Sequence, residues 1–171
     1  MILYKQKNKF GFTIVELLVY VSLLSLIMLV VLSFGQDIIF GKVKNDAILE
    51  VNQNTQFVLG KISKIIKEAE AINSPRISKS ANFLSLALND PLRNPTIFYL
   101  EGDKVKMQEG INAPMELTSN FVRVTNLNFS NISYIDTHGT VKIDLSIENN
   151  NPNNISAYSA QTNFTATVSL W

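Results

Sequence analysis

The stretch Lys9-Phe10-Gly11-Phe12-Thr13-Ile14-Val15-Glu16-Leu17-Leu18 opens the region that decides the fold. From Phe10 to Phe34 the only side chain charged at pH 7 is that of Glu16. As a helix, residues 12–34 would extend roughly 34 Å, enough to cross a hydrocarbon core about 30 Å thick. A cleaved secretory signal has a shorter apolar core, of about 7–15 residues. The run therefore predicts a membrane-spanning helix over residues 12–34.

The charge distribution predicts the orientation of this helix and excludes some partners. Lys5, Lys7 and Lys9 precede the apolar run and no acidic residue does, which favours a cytoplasmic N-terminus. The whole chain has a formal net charge of +1 and no clustered basic face, so no nucleic-acid partner is predicted. It has no cysteine, which excludes disulfides and thiolate metal sites.

Glu16 is an exception within the apolar run. A carboxylate near the centre of a bilayer costs about 2.5–3.5 kcal/mol on insertion scales, so such residues usually have a partner. One interpretation is that Glu16 lies near the cytoplasmic face and reaches the lipid headgroups. The other is that it pairs with a cation inside an assembly.

The segment Gly11-Phe12-Thr13, with Glu16 and then Leu17-Leu18, resembles the prepilin signature of type IV pilins and pseudopilins. The resemblance implies a leader peptide, residues 1–11, that a prepilin peptidase removes by cutting between Gly11 and Phe12. The same enzyme would N-methylate Phe12. Glu16 would then pair with the N-terminal amine of a neighbouring subunit, where each charge satisfies the other away from water.

The apolar pattern continues past residue 34 with a helical period. Apolar residues recur at three- and four-residue steps, which predicts an amphipathic continuation of the helix over residues 35–72. The predicted apolar stripe comprises Ile48, Val51, Thr55, Val58, Leu59, Ile62, Ile65, Ile66, Ala69 and Ile72. Asn54 is placed on the opposite, polar face. Asn73-Ser74-Pro75 predicts the end, because proline cannot continue a helix.

Residues 73–171 have the period of β-strands. Thr96–Leu100 and Lys104–Gln108 flank Gly102 as a hairpin, and residues 141–147 and 158–170 alternate apolar with polar side chains. The apolar parity reverses after Val124, which predicts a β-bulge near Thr125-Asn126. The predicted fold class is α+β. A long N-terminal helix, membrane-spanning in its first half, packs on a C-terminal antiparallel β-sheet.

Other residues carry little chemical signal. His138 fits a turn, and the acids Asp90, Asp103 and Asp136 are too isolated to predict a calcium site. No Ser/His/Asp arrangement, pair of catalytic carboxylates or glycine-rich phosphate loop can be assembled. The sequence therefore predicts no enzyme, no cofactor and no metal.

The resemblance implies a structural subunit of a type IV pilus or of a type II secretion pseudopilus. Its partners would be the peptidase, other pilins or pseudopilins, an inner-membrane assembly platform, and lipid before assembly. The precursor would be a single-pass protein of the cytoplasmic membrane that later enters the filament, with its C-terminal domain outside.

Two features favour a minor subunit. Many major pilins have a proline in this helix where the present chain reads Ser33-Phe34-Gly35. The strand order from Phe121–Phe129 through Val141–Leu145 to a closing strand also resembles, more loosely, J-type minor pseudopilins and W-type minor pilins. Two alternatives stay open, namely an adhesin or recognition module at a filament tip and an uncleaved single-pass protein with a soluble domain.

Overall fold

A computed structural model describes residues 11–135 and 137–171. The chain divides into two compact units, Met1–Gly41 and Lys42–Trp171, with helix α1 (Ile14–Glu68) contributing to both. Residues 1–10 of the predicted leader, including its three lysines, lie outside the described residues. Asp136, one of the three isolated acids considered for a calcium site, lies outside them too.

Helix α1 begins with a side-chain cap. The hydroxyl of Thr13 accepts a hydrogen bond from the Glu16 N–H at 3.2 Å, and the Leu17 N–H donates to the Thr13 carbonyl at 3.1 Å. Thr13 is therefore the N-cap residue, and Glu16 occupies the third helical position, where a carboxylate faces the positive end of the helix dipole. The sequence Thr-x-x-Glu is also that of a capping box.

The end of α1 differs from the prediction. The helix stops at Glu68 rather than Ile72, and Ala71–Ser74 form strand β1, paired with the later strand Phe83–Ala87. The Glu70 N–H already donates to the Ala87 carbonyl at 2.9 Å. Because this pairing satisfies the main chain, the helix ends before Pro75 could end it.

The β-structure comprises nine strands in the described residues. They are β1 Ala71–Ser74, β2 Ser80–Ala81, β3 Phe83–Ala87, β4 Thr96–Glu101, β5 Lys104–Glu109, β6 Met115–Glu116, β7 Val122–Asn131, β8 Thr140–Asn149 and β9 Gln161–Ser169. A 3₁₀ turn at Ser156–Tyr158 precedes β9, so the strand predicted from Tyr158 begins three residues later. The predicted hairpin is present as β4–β5, with Gly102 at φ 63°.

The strands form two antiparallel sheets rather than the single sheet predicted. Five strands lie in the order β1-β3-β4-β5-β6 and four in the order β2-β7-β8-β9. The predicted bulge is confirmed, since the register between β7 and β8 shifts between Val124 and Asn126. The shift returns Leu127 and Phe129 to the face that Val124 occupies, and all three are buried.

The hydrophobic core lies between residues 47–69 and the two sheets. Ile62, Phe98, Phe129 and Ile143 have no exposed side-chain surface. Most of the predicted stripe is buried, but Ile48 is 39% exposed. The fold is therefore α+β, with the helix packed against antiparallel sheets as predicted.

The prediction that Asn54 lies on the polar face of the helix is wrong, because Asn54 is buried. Its Oδ1 accepts a hydrogen bond from the Ser119 N–H at 2.8 Å, and its Nδ2 donates to Glu50. The segment between β6 and β7 thus brings a main-chain donor to the helix, and a polar side chain there is fully satisfied.

Candidate assembly segment

The described part of the first unit has no core of its own. Residues 11–42 are all exposed, and the large apolar side chains from Phe12 to Phe40 expose between 50% (Val30) and 80% (Ile14) of their surface. The apolar residues surround the helix instead of forming a stripe. A helix with this pattern is covered by something outside its own fold, such as lipid or other helices.

In the described residues, α1 alone is long and apolar enough to span a bilayer. Its most apolar 18-residue window has a mean hydropathy of 2.7, and none of that window is buried. A signal sequence near an N-terminus can have the same length and composition. The helix is consistent with membrane anchoring.

The hydroxyl side chains of the segment are satisfied by the helix itself. Ser22, Ser25 and Ser33 donate to the carbonyls of Val19, Val21 and Leu29 at 2.8, 2.8 and 2.9 Å respectively. Serine in a helix can bond back to the preceding turn in this way, which removes its need for water. These polar residues are therefore compatible with apolar surroundings on all sides.

Glu16 and Phe12 share one face at the start of the helix. Tyr20, one turn further along, donates its hydroxyl to Glu16 Oε1 at 3.3 Å. The rings of Phe12 and Tyr20 meet edge to face, with centroids 5.8 Å apart. The structure thus places the predicted new N-terminal residue and the predicted assembly carboxylate around one tyrosine.

Sequence reasoning did not identify Tyr20 or the cap at Thr13. The spacing of residues 12, 16 and 20 was the available signal, because side chains four residues apart adjoin on a helix. Within residues 11–135 and 137–171, no cation lies within 4.0 Å of Glu16. A hydroxyl donor leaves the negative charge uncompensated, so the carboxylate retains capacity for a cationic partner.

The second unit contains other polar clusters, and they join its elements. Arg93 bonds Glu109 at 2.9 Å and Glu68 at 3.3 Å, and hydrogen bonding to Glu109 raises the pKa of the Arg93 guanidinium. His138 is exposed in the loop between β7 and β8. The described residues contain no group of three or more His, Cys, Asp or Glu side chains able to hold a metal.

Comparison with known proteins agrees with the N-terminal geometry. Residues 6–32 match the family model described as the prokaryotic N-terminal methylation motif. No curated protein and no solved structure gives a significant match to the chain. The motif generally implies processing by a prepilin peptidase and assembly with other pilins. This motif at its N-terminus and a long helix packed on antiparallel sheets make the chain similar to type IV pilin-like proteins.

Proposed function

We propose that the chain is a minor pilin or pseudopilin, a structural rather than enzymatic subunit of a type IV pilus or type II secretion pseudopilus. It is processed between Gly11 and Phe12, N-methylated at Phe12, and assembled through its apolar helix. The precursor spans the cytoplasmic membrane once, with its N-terminus in the cytoplasm and its second unit outside. The peptidase and an inner-membrane assembly platform act on it there.

The observation that carries this proposal is the uncovered surface of residues 12–40. Apolar side chains stabilise by about 25 cal/mol for each Å² removed from water, so a helix exposed on every side requires a cover. Lipid supplies that cover in the membrane, and neighbouring helices supply it in a filament. The methylation motif lies at the N-terminal end of this same segment.

Processing gives the segment a charge to match its carboxylate. Cleavage after Gly11 would leave the amine of Phe12 next to the capped start of α1. An amine and a carboxylate that both leave water are costly apart, but each favours the charged form of the other when paired. Pairing Glu16 with the amine of a neighbouring copy would therefore favour one axial stagger between subunits.

Mass spectrometry of the mature protein tests the processing step. The expected N-terminal peptide begins at Phe12 and carries one additional methyl group. Gly11→Val supplies the control, because a bulky residue beside the scissile bond should leave the precursor uncut. A native protein that retains Met1 would contradict the proposal and favour the uncleaved single-pass alternative.

A recognition module at a filament tip is the second candidate. Loops and the C-terminus of the second unit expose large apolar side chains, with Tyr134, Ile135 and Trp171 at 81%, 79% and 84%. Trp171 has a nearer explanation, because the Lys67 ammonium lies 5.8 Å from its ring centroid. Replacing Tyr134 and Ile135 with serine would separate the two functions. Loss of surface adhesion with normal filament incorporation would support recognition.

A further inference from the structure

Strand β9 forms one edge of the four-stranded sheet, and its outer side faces no other strand in the described residues. We propose that this edge pairs with β9 of a second copy of the chain, antiparallel and centred on Thr165. The inference is independent of the proposed filament role, because it concerns the second unit alone.

The backbone of β9 alternates between its partner strand and the open edge. The Leu170 N–H donates to Gly139, and the Ala160 carbonyl accepts from Asn149, so the even-numbered residues bond β8. In an antiparallel ladder the intervening residues direct their N–H and C=O groups away from the partner. Those residues are Gln161, Asn163, Thr165, Thr167 and Ser169, and all five are exposed.

No hydrogen bond within the described chain satisfies these outward main-chain groups. The strand also lacks the devices that normally protect an edge. Residues 161–171 read QTNFTATVSLW, without charge, proline or glycine. Lysine, proline and bulges are the usual means of preventing edge-to-edge pairing. A nine-residue edge without them is a template for another strand.

The sequence of β9 fits a second copy of itself. Pairing Thr165 with Thr165 places Asn163 opposite Thr167 and Gln161 opposite Ser169. This register uses all five outward residues in hydrogen-bonded pairs, each exchanging two bonds, or about ten in total. Every opposed pair is neutral, so the like-charge repulsion that destabilises cross-strand pairs does not arise.

The exposed ring of Phe164 supports the same register. Phe164 faces the core side of the sheet opposite the buried Leu145, yet it stays 46% exposed because β9 is the last strand. In the proposed pair it lies directly across from Ala166 of the other copy. A large side chain beside a small one packs without overlap, and the contact removes apolar surface from water.

Disulfide trapping tests the pair, because the chain contains no cysteine. Hydrogen-bonded partners have Cα atoms about 5.5 Å apart, within the range that a disulfide spans. Purified chain with Thr165→Cys, in detergent and under mild oxidation, should form covalent dimer. The matched control is Thr125→Cys, an exposed threonine on β7, which reports association through the apolar helix alone.

The expected yield of covalent dimer is much larger for Thr165→Cys than for the Thr125→Cys control. Neighbouring thiols in a formed pair have an effective concentration near the millimolar range, against micromolar free chain, so Thr165→Cys should yield roughly tenfold more dimer than the control. Equal yields from the two variants would overturn the proposal.

Cysteines at positions other than 165 test the register of the pair independently. Asn163→Cys and Thr167→Cys chains should each fail to link with themselves, because identical residues lie four positions, about 13 Å, apart. Mixed together, the two chains should link efficiently. Linking of either chain alone to the same extent as the mixture would reject the register centred on Thr165.

Introducing like and then opposite charges across the pair distinguishes loss of pairing from loss of folding. Asn163→Lys/Thr167→Lys in the Thr165→Cys background places like charges opposite each other and should abolish the dimer. Mixing that chain with an Asn163→Asp/Thr167→Asp partner that also carries Thr165→Cys should restore linking. These positions are exposed and direct no main-chain bond to β8, so unchanged circular dichroism is expected. Loss without restoration would contradict edge pairing.

Discussion

The two ends of helix α1 use the same backbone to satisfy opposite requirements. Residues 17–34 are apolar on every side and bury nothing within their unit, whereas residues 47–66 are apolar on one face and bury it against two sheets. The contrast shows where each part finds its stability. The second unit contains its own core, and the described part of the first unit contains none.

The largest expected effect comes from removing the one charged side chain of residues 12–34. Glu16→Gln keeps the shape of the side chain but cannot pair with an amine. We expect normal membrane insertion and a loss of filament incorporation of at least about tenfold, since each unpaired buried charge costs several kcal/mol. Sheared filaments and membrane fractions measured by immunoblot would report the two outcomes.

Tyr20→Phe is the matched control for that change. It removes the hydroxyl that donates to Glu16 and keeps the carboxylate, so incorporation should stay close to that of the unmodified chain. If Glu16→Gln subunits assembled normally, the two units would differ in hydrophobicity alone, and the proposed charge pair would be unnecessary.

Two isoleucines on the same helix sharpen the comparison of cores. Ile62 is fully buried and Ile27 is 51% exposed. Ile62→Ala should lower the free energy of unfolding of the second unit by about 2–5 kcal/mol, through lost transfer energy and the cavity left behind. Ile27→Ala should change it by less than about 0.5 kcal/mol. Urea unfolding in detergent, followed by Trp171 fluorescence, would measure both, and equal losses would show that the units share one core.

Two polar side chains, one in each unit, allow the same comparison with a smaller expected change in the free energy of unfolding. Asn54→Ala leaves the Ser119 N–H without its 2.8 Å acceptor, which should cost about 1–3 kcal/mol. Ser25→Ala removes a hydroxyl that bonds only the carbonyl of Val21 in its own helix, and unfolding should be nearly unchanged. Matching losses at the two positions would mean that the serine has a partner beyond its own helix.

The smallest effect concerns pH. A hydrogen bond from Thr165, together with Lys142, lowers the pKa of Asp144 below its ordinary value. The depressed pKa means that the stabilisation is complete above the unfolded pKa, near 3.9, and is lost as the pH falls through the folded value. Asp144→Asn should therefore flatten the acid limb of stability below about pH 4, as urea midpoints between pH 2 and 6 would show. An unchanged acid limb would mean that Asp144 contributes nothing to it.

The sequence pattern correctly predicted those features of the fold that neighbouring residues determine. The apolar run, the hairpin at Gly102 and the bulge after Val124 are each encoded by neighbouring residues, and each is present. The cap at Thr13 and the contacts of Tyr20 are equally local, and the capping box Thr13-Ile14-Val15-Glu16 overlaps the processing signature. That part of the candidate site could have been predicted.

Features that depend on distant partners could not be predicted in the same way. Helix α1 ends at Glu68 because β1 finds β3, and Asn54 is buried because Ser119 brings it a donor. Two sheets replace one because β6, and not β7, pairs with the outer side of β5. For the helix end and for Asn54, the deciding residue lies more than ten positions away, where periodicity carries no information.

The two borders of the four-stranded sheet are unequal, and this bears on aggregation. At the border opposite β9, β2 pairs with Ser130 and Phe129 of β7, and β7 also contacts β3, β4 and β5. In the part of the chain that the structure describes, a second copy joined at β9 would thus leave no long border for a third. A closed two-fold arrangement of this kind stops growing at two copies, which separates a reversible contact from the start of a fibre.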